Sequence, residues 1–468
     1  MTSLSGKTDI DWRAAAEMLA PVEVLNEDAQ IKKRSRDFFW YSPILTEALD
    51  ACFGDLVAVP KTAEELAHCL KCAYALDMPV LARGGGTGNY GQAVPMDGGL
   101  ILDMTAMNQV LEVGDGWVRA QAGILMDRVN DALKEHGQEM CMFPSTSNIA
   151  TLGGFVAGGS AGIGSIANGV LRDPGNLMGL KVMDVTADPR EHVFEGTDTL
   201  QIHHAWGLNG IITEVTLRTV PAEDWQGCIA TFDSYEAAFG AGVALAHARD
   251  IGCKLISIVD ARIVEYFPRL KKHIPAGRDL LVSMIPDRSR DAFRDVIEAQ
   301  GGTADLILND AERKAARIPH VYDFSYNHTT LQVLRKDRSA TYQQYGCPLP
   351  LDAADVAKLR AALGDDVWMH HEFSRYEGDV TCADLPVIWY KDEAQLRAID
   401  ATYEAHGFPV YDAHTWQVEG GGLKSADYTH LAWKKRMDPK GLLNSAKSRA
   451  WGAVKDLTPE EIEARAAS

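Results

Sequence analysis

Residues 79–95, PVLARGGGTGNYGQAVP, are the stretch that decides the fold. Residues 79–82 have the character of a short buried strand, and glycines follow at 84, 85, 86, 88 and 91. Consecutive glycines let backbone N–H groups approach an anion with no Cβ in the way. The stretch therefore predicts a strand followed by a loop that cradles a diphosphate, although a tight turn between two strands explains the loop by itself equally well.

Length, charge and cysteine content restrict the class of protein. A chain of 468 residues predicts two or three domains, and a formal net charge of -19 argues against nucleic acid or an anionic membrane as partner. No 18-residue apolar run and no apolar signal core are found, so no membrane span is expected. The eight cysteines are scattered, which favours a reducing compartment. We therefore expect a cytoplasmic protein.

The residues around the glycine loop predict an α/β domain. Strand-like stretches DLVAVP (55–60) and GLILDMT (99–105) flank it, and a helix is predicted after Thr62, with Glu65 completing a capping box. A second glycine-rich region covers residues 144–185, with apolar residues between its glycines. Two glycine loops on one scaffold suit a long dinucleotide better than a single phosphate.

Four motifs in the same order carry a family resemblance: RGGGTGNYGQAVP (83–95), TLGGFVAGGSAGIGSIANGVLRD (151–173), GLNGIITEVTLRTVP (207–221) and DPKGLLNSAK (438–447). Together they resemble the FAD-binding oxidoreductases that include vanillyl-alcohol oxidase, p-cresol methylhydroxylase and the D-lactate and glycolate dehydrogenases. The resemblance implies an α+β fold, with a two-subdomain α/β FAD-binding domain and a cap domain whose antiparallel sheet is flanked by helices.

This resemblance also implies the domain boundaries. An N-terminal helical segment (1–53) precedes the FAD-binding domain (54–222), the cap or substrate domain follows (223–430), and the C-terminal segment (431–468) returns to the FAD domain. The N-terminal segment has a basic patch from Lys32 to Arg36 that a solvated helix face explains, so we expect no chemistry there.

The resemblance further implies which residues contact FAD. At the diphosphate it implies Arg83, Gly84, Gly85, Gly86, Thr87, Gly88, Asn89 and Gly91. At the isoalloxazine and ribityl chain it implies Pro144, Ser145, Thr151, Leu152, Gly153 and Gly154. In the second loop, beside the adenine and at the C-terminus it implies Gly162, Gly169, Asp173, Ile211, Ile212, Asn444 and Lys447.

The first glycine loop contains no histidine, whereas relatives with histidyl-linked FAD often carry one there. We therefore expect non-covalent FAD, with His203, His204 and the cap histidines as the alternatives for a covalent link.

Catalytic candidates come from polar aromatic clusters in the cap. A flavin dehydrogenase needs a base for the hydroxyl proton and a group that holds the substrate. We expect His414 or His371 as base, Arg375 or Arg335 as anion holder, and Tyr326 and Glu419 as further catalytic residues. Gly420 follows Glu419 where hydroxy-acid dehydrogenases of the family carry a metal-binding histidine, so we expect no metal.

The favoured function is FAD-dependent dehydrogenation of a C–OH group in a small alcohol or 2-hydroxy acid, with hydride transfer to flavin N5. One alternative is a 4-alkylphenol oxidase that acts through a quinone methide. Another is a flavin-binding electron-transfer subunit without turnover of its own. The electron acceptor stays open between oxygen, a quinone and a cytochrome, and a homodimer agrees with the family.

Overall fold

The computed structural model describes residues 5, 9–159, 161–422 and 426–466. The strands are β1 (Glu23–Leu25), β2 (Leu56–Val59), β3 (Val80–Arg83), β4 (Leu100–Asp103), β5 (Val110–Gly114), β6 (Trp117–Gln121), β7 (Gln138–Met140), β8 (Leu177–Met183), β9 (Glu191–Glu195), β10 (Ile211–Pro221), β11 (Trp225–Phe232), β12 (Leu255–Val259), β13 (Asp279–Pro286), β14 (Thr303–Leu308), β15 (Ala340–Tyr342), β16 (Tyr345–Gly346), β17 (Val367–Trp368), β18 (His370–Tyr376), β19 (Asp379–Asp384) and β20 (Val387–Trp389).

The α-helices of the described residues lie between and around these strands. They are α1 (Trp12–Met18), α2 (Asp28–Arg34), α3 (Pro43–Leu49), α4 (Ala63–Ala75), α5 (Met126–Lys134), α6 (Leu152–Gly158), α7 (Ser165–Asn168), α8 (Tyr235–His247), α9 (Ala261–Val264), α10 (Arg290–Ala299), α11 (Asp310–Ala316), α12 (Asn327–Leu334), α13 (Ala353–Ala362), α14 (Glu393–Ala405), α15 (Tyr428–Met437), α16 (Trp451–Val454) and α17 (Pro459–Ala464).

The first sheet has the order β1-β2-β4-β3, and β4 pairs in parallel with both β2 and β3. Helix α4 connects β2 to β3 and begins at Thr62, whose side chain accepts the Glu65 N–H at 3.2 Å. The strands are short apolar runs, as expected where both faces of a parallel sheet are covered. This sheet therefore delivers the end of β3 directly to the first glycine loop.

The second sheet is antiparallel, with the order β5-β6-β10-β8-β9 and with β7 on the far part of β10. Its buried face packs on α5 and α6 in one apolar core. Strand β10 is the central strand, and it begins at Ile211. The two sheets together form the two subdomains that the resemblance implies.

The cap has a seven-stranded antiparallel sheet in the order β14-β11-β13-β12-β18-β19-β16. Helices α8, α10, α13 and α14 contribute apolar residues to the core on one of its faces. A small sheet of β15, β20 and β17 accompanies it. The predicted α+β class, with an antiparallel cap sheet flanked by helices, is confirmed.

The C-terminal segment lies against the free edge of β3. Val80 N donates to Leu442 O at 2.8 Å, and Asn444 N donates to Val80 O at 2.9 Å. Behind this edge, Lys434 and Asp438 form a fully buried ion pair at 2.9 Å. Among the described residues, no helix is both long enough and apolar enough to span a bilayer.

Candidate functional site

The first glycine loop leaves β3 at Arg83 and packs closely on the second loop. A Cβ on Gly85 would lie 2.0 Å from Ile149 O, and one on Gly84 would lie 2.0 Å from Thr151 Oγ1. Ile149 O belongs to the backbone, so it has little freedom to move aside. The glycines therefore allow two backbone segments to approach more closely than any side chain would permit.

The second loop is held by the start of α6. Thr151 caps this helix by accepting the Gly154 N–H at 3.3 Å, and Gly153 N donates to Ala122 O at 2.8 Å. A Cβ on Gly153 would lie 2.6 Å from the Ala122 Cβ, so this residue fixes α6 against the second sheet.

The two loops line one cavity with about 1550 Å³ of empty space, part of which is open to solvent. Among the predicted FAD contacts, the residues that line it are Arg83, Gly84, Gly85, Gly86, Thr87, Gly88, Asn89, Pro144, Ser145, Thr151, Gly153, Gly154, Ile211 and Ile212. The structure thus brings together, on one surface, residues that the sequence spreads over 130 positions.

Seven other predicted contacts are not among the residues that line this cavity. Gly91 packs on Leu49, Leu152 is a core residue, and the backbone of Gly162 meets Phe143 O. Gly169 and Asp173 form a turn in which Asp173 accepts the Val170 N–H. Asn444 donates to Trp206 O at 2.7 Å, and Lys447 is fully buried. Gly169 and Asp173 line a separate cleft beside Arg375.

The charged groups of the cavity wall are Arg83 and Asp37. Arg83 Nη1 donates to Gly84 O at 2.9 Å, and burial lowers the pKa of its guanidinium. Burial raises the pKa of Asp37 to about 6, although N–H groups of Ala93 and Phe39 and the charges of Lys447 and Arg83 act in the opposite direction. Asp37 is therefore a buried carboxyl group whose pKa responds to the charge of the buried Arg83 guanidinium.

The N-terminal segment contributes to the cavity, which the sequence analysis missed. Asp37, Phe38 and Tyr41 line it, and Phe38 N donates to Gly88 O at 2.7 Å. The signal was the aromatic run DFFWY (37–41), since such a run in a polar segment needs a buried face. Other lining residues that were not predicted as contacts include Tyr90, Trp206, Gly207, Asn209, Gly210, Asn327 and His328.

The cap closes the cavity with residues 326–328, at the start of α12. Tyr326 has φ +48° and ψ −145°, a backbone conformation that L residues rarely adopt. Its N–H donates to Glu372 Oε1 at 2.5 Å, and its hydroxyl donates to Gly162 O at 2.9 Å. Tyr326 is therefore fixed at both ends, to the cap sheet and to the second glycine loop.

Glu372 is itself held by a buried polar network. Its Oε2 accepts from Ser257 Oγ at 2.6 Å, and its Oε1 lies 2.6 Å from His370 Nε2. Thr329 Oγ1 lies 3.2 Å from the same His370 nitrogen. The network thus connects β18 to the first turn of α12.

The structure places the remaining predicted catalytic residues away from the cavity lining. On the face of β18 opposite to His370, His371 Nδ1 lies 2.7 Å from Tyr235 OH. Arg375 donates hydrogen bonds to the carbonyls of Ile166 and Gly378. His414 Nδ1 lies 2.7 Å from Ser42 Oγ, and burial lowers the pKa of His414. Glu419 accepts from Arg449 N and Ser448 Oγ. Arg335, the other predicted anion holder, donates from Nη1 to Gln332 Oε1 at 3.4 Å. Tyr326 alone of these six residues lines the cavity.

Histidines 203 and 204 line a separate cleft together with Arg172 and His430. Within the described ranges, no three His, Cys, Asp or Glu side chains are grouped so that they could hold a metal ion. Among the described residues, His328 is the histidine that lines the cavity. Its Nδ1 lies 3.4 Å from Asp323 Oδ1.

Comparison with protein families matches residues 54–189 to a family described as FAD binding domain. D-2-hydroxyglutarate dehydrogenase of Haemophilus influenzae is 34% identical over 157 residues, which are 31% of this chain and 15% of that protein. Glycolate oxidase subunit GlcD of Bacillus subtilis is 28% identical over 202 residues, 39% of this chain and 41% of that one. The match thus spans less than half the length of either relative.

A solved structure of p-cresol methylhydroxylase with bound substrate resembles most of this chain. The TM-score is 0.69, with 95% of this chain and 98% of that chain covered at 14% identity. At this identity the likeness concerns the fold, and it includes the cap as well as the matched domain.

Proposed function

We propose that the protein is an FAD-dependent oxidoreductase. The premise is that residues 54–189 form a domain of the FAD-binding family, so that the chain takes FAD as its cofactor. It dehydrogenates a C–OH group of a small organic substrate. The observation that carries this proposal is a single cavity whose wall combines both glycine loops with residues 326–328 of the cap.

The residues of the cavity fit FAD. Arg83 Nε and Trp206 Nε1 are buried donors for which the described residues supply no acceptor, and both side chains line the cavity. Buried polar groups are nearly always hydrogen-bonded, so these two donors suit a ligand rich in acceptors. The glycines between 84 and 88 would present backbone to the diphosphate, where a Cβ would take up the space.

When bound, FAD supplies the acceptor for a hydride from the substrate carbon. The protein has to remove the hydroxyl proton, and His328 is the cavity histidine that can accept it. The Asp323 carboxylate, 3.4 Å from His328 Nδ1, would stabilise the imidazolium that results. We therefore assign His328 as the base, in place of the histidines predicted from the sequence.

Tyr326 has a different role. Burial and the Glu372 carboxylate raise the pKa of its hydroxyl well above the usual value, so the phenol stays neutral. A neutral phenol fixed at both ends is a hydrogen-bond donor and a rigid wall, and it positions Asn327 and His328 at the start of α12.

The two relatives named above suggest a 2-hydroxy acid as substrate class. A 4-alkylphenol is the second candidate, because the lining includes Tyr41, Tyr90 and Tyr326. Moreover, Arg83 is the one Arg or Lys among the described lining residues, and it binds carbonyls of its own loop. A hydroxy acid would need a cation for its carboxylate, whereas a phenol would need hydroxyl donors.

Anaerobic reduction of the bound flavin tests the proposal. The purified holoprotein is mixed with D- and L-2-hydroxy acids, simple alcohols and 4-alkylphenols, and loss of the visible flavin absorbance is followed. We expect reduction by one of these classes with no partner protein present. If dithionite reduces the flavin and none of the substrates does, the electron-transfer alternative replaces this proposal.

The matched variants are His328→Ala and His273→Ala, the latter on the exposed surface of the cap. We expect His328→Ala to retain FAD and to lose at least about 100-fold in the rate of flavin reduction, the usual contribution of a general base. His273→Ala should reduce as fast as the parent protein. Equal rates for both variants would remove His328 from the mechanism.

A further inference from the structure

Two of the scattered cysteines lie directly opposite each other on neighbouring strands of the cap sheet. Strand β16 pairs with β19 through Tyr345–Asp384 and Gly346–Ala383, so the next pair in this register is Cys347 and Cys382. Cys347 N donates to Cys382 O at 2.9 Å, which extends the pairing by this residue. The side chains of a directly opposed pair lie on the same face of a sheet.

The spacing suits a disulfide. Directly opposed, hydrogen-bonded residues of an antiparallel pair have Cα atoms about 5.5 Å apart. Disulfides connect Cα atoms that are roughly 4.4–6.8 Å apart. Both cysteines carry free thiols in this structure, and Cys347 is half-buried whereas Cys382 is buried.

A histidine completes the group. His371 on β18 lies on the same face of the sheet and is paired in register with Asp384, two residues from Cys382. Because His371 Nδ1 is taken by Tyr235 OH at 2.7 Å, Nε2 is the nitrogen available to a thiol. Burial alone would lower the pKa of His371, but the Asp384 carboxylate and Cys347 raise it.

The same contacts favour a thiolate at Cys347. Burial alone would raise the pKa of this thiol, but hydrogen bonding with Cys382 and the charge of His371 lower it to about 7. The pKa of Cys382 is raised well above its usual value, first by burial and then by Cys347. One thiol of the pair is therefore ready to attack, and the other keeps its proton.

We propose that Cys347 and Cys382 form a peroxide-reactive dithiol site, with Cys347 as the attacking thiol and Cys382 as the resolving thiol. The Cys347 thiolate attacks one oxygen of a hydroperoxide: an S–O bond forms, the O–O bond breaks, and the other oxygen leaves and takes up a proton. Cys347 is thereby oxidised by two electrons to a sulfenic acid, and the hydroperoxide is reduced to an alcohol or to water.

In the second step the Cys382 sulfur attacks the Cys347 sulfur. An S–S bond forms, the S–O bond breaks, and the hydroxide leaves as water together with the proton of Cys382. This sequence consumes one hydroperoxide and two thiols for each disulfide. It is independent of the function proposed for the FAD cavity.

The chain contains its own control pair. Cys69 and Cys72 lie three residues apart on α4, and both are buried. Burial raises the pKa of Cys69 to about 12 and also raises that of Cys72. Although His68 Nε2 lies 3.9 Å from Cys72 Sγ and the charge of Lys71 acts to lower the pKa of Cys72, burial has the larger effect, so we expect this pair to be inert to peroxide.

The test treats the folded holoprotein with one equivalent of hydrogen peroxide, blocks the remaining thiols with a maleimide, and maps the peptides without reduction. We expect a Cys347–Cys382 linked peptide that has lost two hydrogens, formed about tenfold faster or more than any oxidation of Cys69. Failure of Cys347 to oxidise faster than Cys69, or a disulfide at Cys69–Cys72 instead, overturns the proposal.

Two single variants separate the roles of the thiols. In Cys382→Ser the reaction should stop at the Cys347 sulfenic acid, which dimedone traps. In Cys347→Ser, Cys382 should stay reduced. Dimedone labelling of Cys382 in that variant, at the rate seen for Cys347, would reverse the assigned roles and contradict the proposal.

Discussion

At the scale of single residues, the shape of the cavity depends on glycines that have no Cβ. Gly84 and Gly85 contact the second loop where a Cβ would lie 2.0 Å from Thr151 Oγ1 and from Ile149 O. The first obstacle is a side-chain atom that can rotate away, whereas the second is backbone. Gly85 is therefore the more demanding of the two positions.

We expect Gly85→Ala to separate the two loops and to weaken FAD binding by tenfold or more, because overpacking of this kind costs about 1–3 kcal/mol. The matched control is Gly364→Ala, since a Cβ on Gly364 meets nothing within 4 Å. Fluorescence titration of the apoproteins with FAD, together with their far-UV circular dichroism, measures the effect. Equal dissociation constants for the two folded variants would show that the close contact is not needed.

The raised pKa of Asp37 predicts how the stability of the folded protein depends on pH. Its pKa in the folded protein is about 6, above the usual 3.8 of an aspartate, so its contribution to stability is fully present below about pH 4 and is lost as pH rises through 6. The Asp37→Asn variant lacks this titrating group. If the substitution also removes a hydrogen bond, the resulting loss of stability is the same at every pH. We therefore expect the Tm of the parent protein to fall relative to Asp37→Asn between about pH 4 and 7.

The control for this experiment is Asp50→Asn, whose side chain is mostly exposed next to Arg36. Thermal unfolding of the three proteins is compared at each pH. Parallel Tm curves for the parent protein and Asp37→Asn would contradict the raised pKa of Asp37.

At the scale of secondary structure, β18 and α12 act together. Glu372 and His370 point from β18 toward α12, and His371 between them points to the opposite face. This alternation follows from the two-residue period of a strand. One strand therefore supplies a support for the cavity on one face and a partner for Cys347 on the other.

We expect Glu372→Gln to slow turnover about tenfold or more while FAD remains bound. An amide NH₂ at one of the two oxygen positions would face Tyr326 N–H or Ser257 OH, so the unusual backbone of Tyr326 would lose support. The control is Glu404→Gln on the exposed side of α14. The rate of flavin reduction and the flavin content are compared, and a changed flavin content with an unchanged rate would contradict this positioning role.

At the scale of the whole molecule, the cavity belongs to three parts of the chain. The FAD domain supplies the glycine loops, the N-terminal segment supplies Asp37 and Tyr41, and the cap supplies Tyr326 and its neighbours. The hydrogen bond from Tyr326 OH to Gly162 O, at 2.9 Å, joins the cap to the FAD domain. The shape of the cavity therefore depends on residues that are far apart in sequence.

We expect FAD to be released when the protein is precipitated with acid, because non-covalent contacts are lost on unfolding. The visible flavin spectrum should then move to the supernatant. Flavin that stays in the pellet would show a covalent link and would point first to His328 or Tyr326, which line the cavity. Free FAD added to an unrelated acid-precipitated protein serves as the control for trapping.

The sequence by itself determined the local elements and the class of cofactor. β4 lies within the stretch GLILDMT (99–105), α4 begins after Thr62, and the glycine loop follows β3, because hydrophobic period, caps and glycine act over a few residues. Fourteen of the predicted FAD contacts line one cavity because short motifs encode backbone shape. These features are local, so a single sequence contains them.

The tertiary structure decided which side chains meet in the cavity. His371, Arg375, His414 and Glu419 have the right chemistry, yet the direction of each side chain depends on strand register and on the packing of distant elements. Asp37 and His328 enter the cavity, and Cys347 meets Cys382, only because segments far apart in sequence pack together. Long-range packing of this kind leaves no periodic pattern in the chain, and only the folded structure specifies it.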